Sequence, residues 1–186
     1  VQVIKAGTSH PLMDEFAEYR FLQSQPQLYQ FVKNDCPELY EKIRRRVAEG
    51  RWEADGGMWL EADCNISSGE ALSRQFLYGM RFLQQEFGHT CEYLWLPDVF
   101  GYSWALPQIL KNVGIDTFMT TKISWNDTNK LPYDTFLWKG IDGTKILTHF
   151  ISTRDYEAPG RTVRTSTEFY SPFSATYNAI INPAQI

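Results

Sequence analysis

Glu92-Tyr93-Leu94-Trp95-Leu96-Pro97-Asp98-Val99-Phe100-Gly101-Tyr102 is the stretch on which the reading of this chain turns. Residues 92 to 96 form a short apolar run of the kind that makes a buried strand, and Pro97, which cannot donate to a sheet ladder, ends it. Asp98 is thereby delivered to the carboxyl end of a strand, and Phe100-Gly101-Tyr102 lets the backbone turn sharply above it. Ala105 to Asn112 then reads as a helix stopped by Gly114, and Thr117 to Thr121 as the next strand. Strands alternating with helices imply a parallel sheet with right-handed connections, and ligands collect outside the carboxyl ends of its strands.

The alternation continues upstream. Ser67 and Glu70 have the spacing of a capping box, and behind them Leu72, Phe76, Met80, Leu83 and Phe87 recur at helical period until Gly88. Trp52 to Asp55 and Met58 to Asp63 read as short strand pieces separated by Gly56-Gly57. Pro26 opens a helix through about Asn34, and Pro37 opens another with Leu39, Ile43 and Val47 on its apolar face and Gly50 at its end. Glu18 to Leu22 reads as a strand before them. Downstream, Phe136 to Lys139 and Lys145 to Phe150 flank Asp142-Gly143, a hairpin signal read as an antiparallel insertion. Ser152 to Asn178 loses periodicity and reads as a long loop. The expected fold class is α/β, in a single domain over residues 1–186. Val1 opens with neither an initiator methionine nor a signal-peptide core, and Asn182-Pro183 has the look of a further helix start. The domain is therefore expected to lack N-terminal and C-terminal parts.

Composition narrows the partners. The formal charge of -4 supplies no basic field for nucleic acid, and Arg44-Arg45-Arg46 lies inside a helical pattern as a solvated face. No run approaches the roughly 18 apolar residues of a membrane span. The three cysteines, Cys36, Cys64 and Cys91, form no CxxC pair and cannot all pair within the chain, which favours a reducing compartment. Sequons at Asn65 and Asn126 are short enough to arise by chance, and a cytoplasmic location is expected. The 12 Phe, 10 Tyr and 6 Trp are many for 186 residues, and aromatic rings both fill cores and line sugar clefts.

Asp55, Asp63 and Asp98 fall at the carboxyl ends of expected strands, where residues distant in sequence converge on one rim. Convergent acids suit hydrolysis or metal binding. Glycoside hydrolysis with retention needs a carboxylate beneath the anomeric carbon and a second carboxyl, about 5 to 5.5 Å away, to protonate the leaving oxygen. Asp98 is the best placed for the first role, although on physical grounds alone a turn aspartate serving its own backbone is the stronger reading. Trp59 and Phe100 offer flat faces for a sugar ring or for core packing. Glu61, Asp63 and Asn65 alternate along one expected strand and would present oxygen acceptors on one face, and Lys122 is placed to donate to a hydroxyl. Asp155 and Glu157, acids in the long loop, read as solvated.

The run Trp95-Leu96-Pro97-Asp98-Val99-Phe100-Gly101-Tyr102-Ser103, followed by Leu106-Pro107-Gln108-Ile109, resembles the nucleophile segment of glycoside hydrolase family 38, the α-mannosidases. Further blocks are similar in the same order: Ser24-Gln25-Pro26-Gln27, residues 56 to 65, residues 68 to 75, residues 121 to 126 and residues 138 to 143. The resemblance spans about residues 12 to 151 and is nearest to the bacterial and cytosolic branch.

That resemblance implies a retaining, exo-acting α-mannosidase on part of a seven-stranded α/β barrel-like domain with one zinc ion. Asp98 would be both nucleophile and zinc ligand, and Trp59, Glu61, Asp63, Asn65, Phe100 and Lys122 would bind substrate. The implied partner is a mannose-containing oligosaccharide, with homo-oligomers of the full-length enzyme admitted. The family takes further zinc ligands from a His-x-Asp motif and a distant histidine. His10, His89 and His149 match neither, so the remaining ligands and the acid/base residue are expected outside this chain, and the chain alone is expected to be inactive. His89 reads as a surface or capping residue and His149 as a structural one. The alternatives are a non-catalytic sugar-binding fragment and an α-glucan-acting hydrolase on a related barrel.

Overall fold

The computed structural model describes residues 11–121 and 133–151, together with the backbone of 154–155 and 179–180. It divides into two compact units, Val1–Ala62 with Gly69–Leu94, and Asp63–Ser68 with Trp95–Ile186.

In the first unit, β1 (Phe21–Leu22) runs parallel to β2 (Trp52–Glu53), and Gly56 forms a parallel bridge to Leu94 of β3 (Tyr93–Trp95). Helices α1 (Pro26–Asp35) and α2 (Pro37–Ala48) each begin at proline, whose missing N–H costs nothing at a first helical position. α3 (Gly69–Phe87) is the longest helix among the described residues. Tyr29, Val32, Tyr40, Ile43, Trp52, Phe76 and Leu83 are buried here. The polar edges of this core are satisfied: the Trp52 indole donates to the Tyr29 hydroxyl at 2.8 Å, which donates to the Gln23 carbonyl at 2.7 Å. Burial pushes the Tyr29 phenol far up in pKa. Arg44 and Arg46 of the basic run pair with Glu41, Glu49 and Asp14, as a solvated helix face does.

Sequence periodicity and packing part company at three places in this region. α3 buries Leu72, Phe76, Gly79, Phe82 and Leu83, with Met80 and Phe87 only half-buried. Gly79 carries no hydrophobic signal, yet a Cβ there would lie 2.6 Å from the Met58 carbonyl carbon and 2.7 Å from the Trp59 nitrogen. That close approach explains the second difference: residues 58–63 are not a strand. Trp59 N–H donates to the Gln75 carbonyl and Leu60 N–H to the Gln75 side chain, both at 2.9 Å, so the backbone is satisfied by a helix rather than a ladder. Third, the helix begins at Gly69, one residue too late for a Ser67–Glu70 box, and Glu70 instead accepts from Arg74 at 2.6 Å one turn on.

The sheet containing the second unit's strands has the order β3-β4-β6-β5, with β4 Thr117–Thr120, β5 Thr135–Lys139 and β6 Lys145–Phe150. β4 and β6 are parallel, Thr117 facing Leu147 and Thr120 facing Phe150. β5 and β6 are antiparallel, and their turn is held by Asp142, which accepts from the Thr144 backbone at 3.0 Å and its hydroxyl at 2.6 Å. Because β6 is also the parallel neighbour of β4, this hairpin is part of the sheet. α4 (Leu106–Asn112) buries Leu106, Pro107 and Leu110, and Leu96, Ile115, Phe118 and Ile146 complete the core. β7 (Arg154–Asp155) pairs antiparallel with β8 (Ala179–Ile180). β7 falls inside the stretch read as a long loop, most of which, Glu157 included, lies outside the described residues.

Candidate active site

The loop after β3 presents Asp98. Val99 is buried at 6% exposure, and the residues on either side of it, Asp98 and Phe100, face solvent. Leu96 N–H donates to the Met119 carbonyl of β4 at 3.1 Å, the last sheet bond before the turn. From there side chains hold the backbone. The Tyr102 hydroxyl lies 2.8 Å from the Val99 carbonyl and 3.1 Å from that of Leu96, it also meets the Thr120 hydroxyl, and Thr121 donates to the Pro97 carbonyl. The Tyr102 ring packs edge-on against Phe118, with centroids 4.9 Å apart.

Asp63 and Asn65 lie in a turn, not on a strand. One Asp63 carboxylate oxygen accepts from the N–H groups of Asn65 at 2.8 Å and Ile66 at 2.9 Å, an Asx turn that removes the expected alternation of Glu61, Asp63 and Asn65 on one face. Cys64 is buried inside this turn, and burial, with the Asp63 charge, pushes its thiol up to about 12. Asn65 meets Gly101: a Cβ on that glycine would sit 3.0 Å from Asn65 Cγ and closer to the amide nitrogen. Asn65 and the Asp98 loop are thus brought together in the second unit.

Trp59 and Glu61 belong to the first unit. The half-buried Trp59 ring packs edge-on against Phe82, and its indole donates to Gln27 at 2.9 Å. Glu61 accepts from Ser24 at 3.1 Å and Gln25 at 3.2 Å. Gln25, the residue before α1, has φ 25°, a left-handed conformation that no other non-glycine residue adopts among those described. Lys122 lies outside the described residues, as does His10.

Asp55 is not a rim acid. It is 2% exposed, one oxygen accepts from Gly56 N–H at 2.6 Å, and the other meets His89 Nε2 at 2.7 Å. His89 is therefore a capping residue with a second role: its N–H donates to the Leu83 carbonyl at the end of α3 at 3.4 Å, and its partly exposed ring is the partner of a buried carboxylate. Burial, with Asp55 nearby, also pushes the Cys91 thiol up to about 12. His149 Nδ1 bonds the Thr135 hydroxyl at 2.8 Å, a structural role.

A family model, the glycosyl hydrolases family 38 N-terminal domain, matches residues 6–186. The chain belongs to glycosyl hydrolases family 38. It is 49% identical over 146 residues to Alpha-mannosidase G of Dictyostelium discoideum, covering 78% of this chain and 13% of that protein. To Alpha-mannosidase 2C1 of Homo sapiens it is 45% identical over 153 residues, covering 82% of this chain and 15% of that one. The crystal structure of an alpha-mannosidase from Enterococcus faecalis V583 matches with a TM-score of 0.65 at 21% identity, over 80% of this chain and 17% of that one, a likeness of fold. The chain thus spans between 13% and 15% of the length of these curated relatives.

In this family 38 chain no three His, Cys, Asp or Glu side chains are grouped to hold a metal among the described residues. Asp98 offers one carboxylate, a fitting oxygen donor for zinc, while His89 and His149 are engaged by Asp55 and Thr135. A zinc site built on Asp98 would have to draw its other donors from outside the described residues. Sequence reading gave no role to Ser24 and Gln25, although their block was among those that resemble the family, and it weighed Tyr102 as a wall of the cleft or as packing, not as a brace of the Asp98 loop.

Proposed function

We propose that the protein carrying this chain is a retaining exo-α-mannosidase that releases terminal α-linked mannose from oligosaccharides, with Asp98 as the nucleophile. The observation that carries the reading is the solvent-facing Asp98 carboxylate on a side-chain-braced loop at the carboxyl end of β3, in a chain of this family. Asp98 attacks the anomeric carbon, and a second carboxyl from elsewhere protonates the departing oxygen and then activates water. Zinc is the proposed cofactor, with Asp98 as one ligand; when bound it supplies Lewis-acid and template chemistry for the sugar hydroxyls. Trp59, Glu61, Asn65, Phe100 and Lys122 contact the sugar, and Asp63 contributes by shaping the turn that presents Asn65. The whole chain is taken as part of one seven-stranded α/β barrel-like catalytic domain. A cytoplasmic setting is supported by three free cysteines among the described residues, and no helix among them is long and apolar enough to cross a membrane. Self-association of the full-length enzyme is compatible with this reading.

The test is hydrolysis of aryl α-mannosides and α-glucosides by the full-length protein before and after Asp98→Asn. Mannoside turnover that the substitution removes supports the reading; turnover that survives it, or activity on glucosides alone, rejects it.

A further inference from the structure

We infer that Tyr102 is the positioning residue of the Asp98 carboxylate, fixing through hydrogen bonds the backbone on both sides of it; this rests on Asp98 being the nucleophile. The loop has left the sheet after Leu96, so its carbonyls have no ladder partners and must be satisfied otherwise. The Tyr102 hydroxyl lies within reach of the carbonyl two residues before Asp98, at 3.1 Å, and the carbonyl one residue after it, at 2.8 Å. A phenol has one proton. With the Thr120 hydroxyl donating into the phenol oxygen, that proton is shared between Val99 and Leu96, and the shorter bond goes to Val99. Thr120 is completely buried, so the hydroxyl that meets Tyr102 lies in the core and not in water. Thr121 secures the Pro97 carbonyl in the same way.

The consequence is geometric. Val99 plugs the core and Tyr102 ties both flanks of the turn, so the backbone that carries Asp98 is fixed between them. A nucleophile must approach the anomeric carbon in line with the leaving group, and a displacement near 1 Å can cost about 100-fold. A phenylalanine at 102 keeps the edge-on contact with Phe118 and removes only the hydroxyl.

The experiment uses a fluorinated mannosyl fluoride on the full-length protein. The carboxylate oxygen forms a bond to the anomeric carbon as the carbon–fluorine bond breaks and fluoride leaves, and the trapped ester is located by peptide mass spectrometry. The labelling rate constant and the reversible binding constant are measured for the unsubstituted protein, Tyr102→Phe and Thr120→Val. Expected are a label on Asp98, a fall in labelling rate of about 100-fold for Tyr102→Phe and less for Thr120→Val, and reversible binding within about twofold. A merely structural role would weaken reversible binding along with the rate. An unchanged labelling rate in Tyr102→Phe, or losses of rate and binding in equal measure, overturns the positioning role. A label on another residue, or none in the unsubstituted protein, removes the nucleophile reading itself. Should Tyr102→Phe fail to fold, Thr120→Val decides alone: full-rate labelling of Asp98 in that variant overturns the inference.

Discussion

The Asn65 carboxamide rests on the α-carbon of Gly101, so close that any side chain at 101 would collide with it. Two segments far apart in sequence, the Asx turn at Asp63 and the loop at Asp98, meet at this contact, and neither has a sheet ladder to hold it there. Gly101→Ala is expected to push the exposed Asn65 side chain aside, with a stability change of no more than about 1 kcal/mol and a larger proportional loss of turnover. Thermal denaturation and mannoside kinetics on the same preparation check this; an alanine variant with unaltered kinetics would rule out the contact as part of the site.

Asp98→Asn keeps the size and the solvent-facing position of the side chain but removes the nucleophile's charge. Turnover of an aryl α-mannoside is expected to fall by at least about 1,000-fold, with the melting temperature almost unmoved because Asp98 is exposed.

Gly79→Ala separates helix propensity from packing by sign. Propensity alone predicts a gain of roughly 1 kcal/mol in the middle of α3. The backbone of residues 57–59 lies where the new methyl would go, so a net loss of about 1–3 kcal/mol is expected, read from urea unfolding. A stabilised variant would mean that loop and helix are not in contact.

Cys64 and Cys91 are buried with thiols pushed up to about 12, so almost no thiolate exists at pH 8 in the folded state. A maleimide at that pH is expected to label Cys36, which is partly exposed, and to reach the other two only after unfolding.

The same shifts set a pH dependence. Both thiols hold their protons more tightly folded than unfolded, where the pKa is near 9.0. Their contribution to stability is full below about 9 and is lost as pH rises from about 9 toward 12. Unfolding midpoints should fall across that window, and Cys64→Ser with Cys91→Ser should flatten the fall.

Much of the frame around Asp98 was legible locally. An apolar run ended by proline, helices opened by Pro26 and Pro37, and an Asp-Gly turn between two strands all encode their structure within a few residues, because period, capping and turn chemistry are short-range. Residues 58–63 were not legible for the opposite reason: their alternation suits a strand, but Gly79 lets them dock on α3, and Gln75 supplies the hydrogen bonds a neighbouring strand would have made.

The sequence by itself therefore determined the mixed α/β content, the family, and the delivery of Asp98 to a strand end. Only the tertiary structure decided which of these acids is buried, which closes a turn and which is exposed. Asp55 is tied to His89 in the core, Asp63 is turned onto its own backbone, and Asp98 is held outward between Val99 and the Tyr102 hydroxyl. All three carboxylates look alike in sequence. They differ because each is assigned its role by hydrogen bonds, and those from His89 to Asp55 and from Thr121 to the Asp98 loop come from far along the chain, where no local pattern records them.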